Sequence, residues 1–348
     1  MDRYNILKKA SGFNSLVGFD GFIDRIVEAV RIRDGGGRAY QKIETIAEFA
    51  KRIDLASGRS TNIELFVKET RIGGNAVLMA NALADLGINT RFIGPIGNPR
   101  ENIFGEFSKK TRAFSLGESG ETTAVEFNDG KILFGVTNPL DGIIFEKIIK
   151  NIGHEVFIEM LEVADLVAIL NWTMLPAMGD IMDSLYKEIM PKLSKKHRFY
   201  FFDLADPEKR SQNDKKQVID QIGIFGKYGT TVLSLNVKEA QQLCDLFGKF
   251  NVNEIKDSMI GAVKFLADHS RINKIIIHGI GCSACCSADK VAFVDGFKID
   301  NPVTSTGGGD VFNAGFSLAM LAGETDENCM IFANKTSNRY VRGLAINE

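Results

Sequence analysis

No apolar run in this 348-residue chain approaches the roughly 20 residues needed to span a bilayer, and its opening, Met1-Asp2-Arg3-Tyr4-Asn5, has no apolar signal core. A membrane span is therefore not expected, and the chain reads as cytoplasmic. Charge of either sign is also not in excess. Lys and Arg total 42 against 44 Asp and Glu, a net charge of −2, with no long basic tract, which argues against nucleic acid as the main partner. A small molecule is the expected ligand. Cysteine is too sparse and too irregular for a disulfide framework: five residues, Cys244, Cys282, Cys285, Cys286 and Cys329, an odd number. Cys282-Ser283-Ala284-Cys285 has the spacing of half a zinc knuckle. With only 4 histidines in the chain and no second Cys pair, a structural zinc site lacks ligands.

Fixed-period repeats, low-complexity tracts and long linkers are absent too, so one domain over 1–348 is expected. What is present is 45% hydrophobic and 25% charged residues, enough to bury a large core. Short apolar runs at Leu166–Leu170, Phe199–Phe202, Thr231–Leu235 and Lys274–Ile277 read as fully buried strands. Helical patterns near 179–192, 214–227, 237–248 and 255–268 alternate with them, the order of βαβ units on a parallel sheet. Ser15–Phe19 and the vicinity of Arg91-Phe92-Ile93 add strands. Between them Ala76 to Leu86, apolar all round and stopped by Gly87, reads as a buried helix. Segments 30–72 and 121–137 alternate apolar and polar residues and are expected to form a small β lid.

The stretch with most chemistry is Ser305-Thr306-Gly307-Gly308-Gly309-Asp310, leading into an apolar helix. Three glycines allow several N–H groups to turn toward one point, and a helix beginning there adds its positive end, so the turn suits a phosphoryl group. A carboxylate at that point can take the proton of an attacking alcohol. Gly307–Gly309 lacks the GxGxxG spacing of a dinucleotide turn and the Gly-Lys-Ser/Thr ending of a P-loop. Taken alone, the motif also reads as an Asp-capped turn. A second Gly turn, Arg71-Ile72-Gly73-Gly74-Asn75-Ala76, opens the buried helix.

Together the two turns, at opposite ends of the chain, resemble the ribokinase or PfkB family of carbohydrate kinases, with support from Asn236-Val237-Lys238-Glu239. The resemblance implies a ribokinase-like three-layer α/β/α sandwich with a mostly parallel central sheet and a small β lid. It implies an ATP- and Mg²⁺-dependent kinase acting on a sugar or sugar-like hydroxyl. Asp310 would be the base and the backbone of Gly307, Gly308 and Gly309 the anion hole. Asp20 and Asp24, in Gly18-Phe19-Asp20-Gly21-Phe22-Ile23-Asp24, would supply the sugar-binding carboxylate, with Asp24 aligning better, and Gly73, Gly74 and Asn75 would contact the sugar from the other side. Asn236 and Glu239 would lie near the nucleotide phosphates and organise Mg²⁺, largely through water, although an Asn and a Glu so spaced also make a plain helix cap. Gly279, Gly281 and Asn334 would border the nucleotide.

Three positions depart from the family. Gly308 stands where Ala is usual, and Leu78 where an Asn is usual. Thr304 replaces an Asp tied to monovalent-cation binding, which puts potassium activation in doubt. A nucleoside acceptor is an alternative, since Phe66 and Phe127 in the lid permit base stacking, as is a non-catalytic sugar or nucleotide sensor. Arg71, Arg91 and Lys131 read as either anion contacts or solvated charges. Family lids often pair between subunits, so a homodimer through the lid is possible.

Overall fold

The computed structural model of the chain describes residues 2–97, 101–194, 197–248, 250–296, 298–299, 302–304 and 306–348. Met1 and Ser305, the first residue of the Gly-rich motif, lie outside them. The strands in chain order are β1 (Asn14–Gly18), β2 (Phe22–Asp34), β3 (Ala39–Lys42), β4 (Leu65–Gly73), β5 (Asn89–Gly94), β6 (Arg112–Ser115) and β7 (Gly120–Phe127). They continue with β8 (Gly130–Val136), β9 (Leu166–Leu170), β10 (Phe199–Asp203), β11 (Thr230–Asn236), β12 (Lys274–His278), β13 (Cys282–Ser287) and β14 (Lys290–Asp295).

Nine of these strands form one sheet in the order β14-β13-β12-β11-β10-β9-β1-β5-β6. Its pairings are parallel from β6 to β12, while β13 and β14 are added antiparallel. Side chains alternate between two cores. Along β9, Val167 and Ile169 enter one cluster and Leu166, Ala168 and Leu170 the other. Both faces are covered, which is why the strand sequences are apolar without alternation. Helices Asn75–Asp85, Gly308–Leu321 and Asp326–Val341 cover one face; Gln212–Phe225, Val237–Phe247 and Lys256–Asp268 lie on the other. The helix expected over 179–192 is α only over Met178–Ser184 and then passes through a π turn and a 3₁₀ turn carrying Pro191. Proline has no N–H to extend the ladder. All five cysteines are buried thiols, three of them on β13, so the knuckle-like spacing is strand sequence.

The second sheet has the order β3-β2-β7-β8, with β4 also pairing β2. It begins at Phe22, ahead of the boundary expected near residue 30, because β2 follows directly from the loop after β1. Helix Ile46–Asp54 closes one side over a small core of Val27, Ala29, Phe49, Val125 and Phe127. On the other side, Arg71, Asp24 and Thr122 stand in one cross-strand row.

Chain direction across the main sheet reverses at β1. The chain moves from β1 outward to β5 and β6, then returns to β9 on the opposite flank and runs on toward β14. In open α/β sheets, ligands bind beyond the carboxyl ends of the strands at such a reversal. Asp20 follows β1 and Asn171 follows β9, and the Asn171 amide donates to the Asp20 carboxylate across the reversal.

Candidate active site

Two helices begin at glycine turns beside this crevice, and the protein treats their N-termini differently. Gly74, at φ +92°, turns the chain into helix Asn75–Asp85. Asp20 accepts the first two amides of that helix, Asn75 N at 3.0 Å and Ala76 N at 2.7 Å. An internal carboxylate therefore fills the position that a ligand anion would otherwise occupy. Asp20 is fully buried, and its oxygens are engaged by two amides and Asn171. The carboxylate on the lid is Asp24, which packs so closely on Gly73 that a Cβ there would lie 2.3 Å from its Oδ1.

Gly307, at φ +88°, precedes helix Gly308–Leu321. A Cβ on Gly307 would stand 2.9 Å from the Tyr340 hydroxyl and 3.1 Å from Leu78 Cδ1, so glycine is required by conformation and by space alike. At this second N-terminus Gly308 and Gly309 line a cavity of about 470 Å³. Asp310, the third residue of the helix, is buried, and its Oδ1 accepts from the Asn75 side chain at 3.0 Å. Asn75 thus joins the two turns: its backbone caps onto Asp20 and its side chain orients Asp310.

Asn236, Gly279 and Asn334 also line the cavity, with His278, Phe312, Lys238, Lys298 and Glu254. The His278 ring lies over Phe312 at 5.0 Å between centroids, and burial lowers its pKa to about 4, so it is neutral. Gly281 donates its N–H to Glu254 at 2.8 Å, fixing the loop between β12 and β13. The Asn334 amide donates to Ser283 at 3.3 Å. Asn236 and Glu239 form a reciprocal capping box: the Glu239 N–H donates to Asn236 Oδ1 and the Asn236 N–H to Glu239 Oε2, both at 2.9 Å. Glu239 Oε1 accepts the Asp206 N–H at 2.8 Å. Among the described residues no group of three or more His, Cys, Asp or Glu side chains gathers as a metal centre.

Beneath the crevice lie four buried carboxylates. Asp20 is raised to about 6 by burial, against the pull of its hydrogen bonds. Asp203 is raised to about 6, also by burial, and Glu239 to about 8, by burial and then by Asp203. Asp310 is raised well above the usual carboxylate range by burial and then by Asp203 and Asp20. Asp203 closes β10 and accepts from Asn313 at 2.9 Å, and Asn313 in turn accepts from Ser234 at 2.7 Å. Asp203, Asn171 and Tyr340 stand in no motif of the sequence, Asn313 falls within the Gly-rich motif without a role, and His278 counts there only as a candidate zinc ligand. The signal for the first two was available, since each polar residue sits at the carboxyl end of an apolar strand. Arg71 and Lys131 reach the Gly-rich turn; Arg91 stays within β5, paired with Leu16 and Arg112.

A family model described as prokaryotic ketohexokinase matches residues 3–345. A ketohexokinase from Haloferax volcanii is 27% identical over 342 residues, spanning 98% of this chain and 90% of that relative. A ribokinase of Arabidopsis thaliana, solved in complex with ribose and ATP, has a similar fold at a TM-score of 0.62 and 17% identity, covering 95% of this chain and 92% of that one. The adenosine kinase of Sinorhizobium meliloti is equally similar, with a TM-score of 0.63, 15% identity and coverage of 96% and 97%. The fold alone therefore does not decide the acceptor. The family match over nearly the whole chain does decide the class: the chain belongs to the prokaryotic ketohexokinase family and is an ATP-dependent sugar kinase with the ribokinase-like fold, a phosphotransferase with an alcohol group as acceptor.

Proposed function

We propose that the acceptor is a ketohexose and that Asp310 is the base that activates its hydroxyl. Asp310 takes the hydroxyl proton, the oxygen attacks the γ-phosphorus of ATP, and the bond to the bridging oxygen breaks to release ADP. The observation that carries this reading is the Asn75–Asp310 contact, which holds a carboxylate at the edge of a helix N-terminus whose Gly308 and Gly309 line the cavity. Gly307, Gly308 and Gly309 receive the transferring phosphoryl group, where a preorganised donor is typically worth about 3 kcal/mol. Asp24, packed on Gly73, accepts sugar hydroxyls, and Gly73, Gly74 and Asn75 contact the sugar from the other side. Asp20 acts from behind, as the anchor of Asn75. The nucleotide occupies the cavity bordered by Asn236, Gly279 and Asn334, with Gly281 just behind the lining, where its N–H holds Glu254.

A divalent ion neutralises charge on the nucleotide phosphates when bound. Glu239 already accepts two backbone N–H groups, and this fits a residue that meets such an ion through water, beside Asn236, rather than directly. Potassium is not needed, since Arg71 donates to Thr304 at 2.9 Å where the family has a carboxylate. The test is ADP release with Mg-ATP across fructose and other ketohexoses, aldoses and nucleosides, with and without potassium. Turnover on ketohexoses alone, indifferent to potassium, is expected; a preference for nucleosides would overturn the acceptor.

A second copy of the chain is proposed as the partner of the lid. Support comes from Val67, Leu133, Phe134 and Val136, each about half exposed on its strands. Light scattering is expected to give a dimer, and Phe134→Glu a monomer.

A further inference from the structure

The turn that leads into the Gly-rich motif is held from two sides. From the main body, the Tyr340 hydroxyl donates to the Thr306 carbonyl at 3.2 Å, and the Val303 N–H donates to the Val341 carbonyl at 2.8 Å. From the lid, Arg71 Nη1 on β4 donates to Thr304 Oγ1 at 2.9 Å, and Lys131 Nζ on β8 donates to Thr306 Oγ1. These are charge-assisted bonds from partly buried cations onto neutral hydroxyls of the chain. The same lid face carries Asp24, whose carboxylate interacts with both cations. Glu69 lies 4.0 Å from Arg71, and Glu126 faces Lys131.

We propose that Arg71 and Lys131 are positioning residues that tie the lid to Thr304 and Thr306, so that closing over the sugar and setting the phosphoryl-binding turn are a single event. The physical reason is that one rigid sheet bears both Asp24 and the two cations. A lid position that suits Asp24 also brings Arg71 and Lys131 onto the turn. A lid displaced from the sugar removes the bonds to Thr304 and Thr306 and leaves the turn to its contacts with the main body, among them Tyr340 on Thr306, Val341 on Val303 and Ser337 on the Gly308 carbonyl. Sugar occupancy is thereby communicated to the anion hole through chain contacts rather than through the sugar itself. Phosphoryl transfer to water in the absence of sugar is suppressed by the same device.

The inference rests on the sugar-kinase reading, and its test separates the two. Lys131→Met and Thr306→Val, both close to isosteric, are each expected to lower kcat on fructose by about tenfold to a hundredfold, as a misplaced reacting group does. Nucleotide affinity without sugar and the thermal midpoint should stay unchanged, and Lys131→Arg should restore most of the loss. The double variant should be no slower than the slower single variant, because the two residues act as one contact. Multiplying losses, or a fully active Thr306→Val beside an impaired Lys131→Met, would overturn the proposal, the latter by showing that the cation acts directly on a bound group. Losses of stability and nucleotide affinity in parallel with kcat would overturn it as well. Amide exchange gives a readout independent of turnover. Fructose with a non-hydrolysable ATP analogue should protect Gly307–Val311 in the unsubstituted chain and not in Lys131→Met; equal protection in both would sink the proposal even if no acceptor turned over.

Discussion

A carboxylate that must collect a proton works best when its environment makes it a stronger base than a solvated one, and Asp310, the base proposed above, is held in such an environment. Burial and the neighbouring Asp203 and Asp20 raise its pKa, while the Asn75 amide opposes the rise and fixes its orientation. The base form is lost as pH falls through that raised value. The acidic limb of the kcat profile should therefore lie above the ordinary carboxylate range of about 4. Asp310→Asn preserves size and the hydrogen-bonding site but cannot take the proton. Turnover should fall by roughly 10² to 10⁴ while nucleotide and sugar affinities are retained, as read by steady-state kinetics and calorimetry. Unchanged turnover would remove Asp310 from its role.

At the scale of elements, the two glycine-turn helices show how one backbone motif serves two ends. A helix N-terminus offers unpaired N–H groups and a positive field. Helix Asn75–Asp85 satisfies them internally through Asp20, whereas helix Gly308–Leu321 presents its first glycines to the cavity. Asp20→Ala would leave the Asn75 and Ala76 amides and the Asn171 side chain without their acceptor in a buried site. A loss of about 2–4 kcal/mol in unfolding free energy is expected from denaturant titration, on the scale of a removed cap plus unsatisfied buried donors. Turnover should fall too, because Asn75 would no longer be held where it orients Asp310. A stability change within measurement error would mean that water replaces the carboxylate.

For the whole molecule, the consequence of placing these carboxylates together is a pH-dependent stability. Asp20 and Asp203 at about 6 and Glu239 at about 8 all stand above their unfolded values. At these three groups the folded chain binds more protons than the unfolded chain between about pH 4 and pH 8, and their contribution to stability falls as pH rises through that window, whereas His278, lowered to about 4, opposes them only below its unfolded value. Thermal unfolding without ligands is expected to show a higher midpoint near pH 6 than near pH 8. Asp203→Asn should shrink the difference; an identical slope in that variant would show that other groups set it. The cost is located where cationic or proton-bearing ligands would offset it, at the carboxyl ends of β1, β10 and β11.

Much of this was legible in the residue order, for identifiable reasons. Buried parallel strands must be apolar on both faces, so Leu166–Leu170 and Thr231–Leu235 announced themselves, and with them the α/β fold. The Gly-Gly and Gly-Gly-Gly turns were visible because positive φ leaves few alternatives to glycine. Adjacent residues in sequence, however, do not reveal which of two equivalent side chains is spent inside. The family resemblance offers both Asp20 and Asp24 as sugar ligands, with Asp24 aligning better; only the packed structure carries Asp20 to a helix N-terminus more than fifty residues away and leaves Asp24 on the lid. Asn236 and Glu239 likewise appear in three dimensions as a capping box. The sequence by itself determined the buried parallel strands β1, β5 and β9 to β12, the glycine turns and the carboxylate at the second of them, because those depend on local conformation and periodicity; the edge strands β6, β13 and β14 showed only in the sheet. The tertiary structure decided that Asn171 meets Asp20 and Asn313 meets Asp203, that Asn75 bridges the two turns, and that Arg71 and Lys131 reach Thr304 and Thr306, because each of these joins segments brought together only when the sheet closes its order around β1.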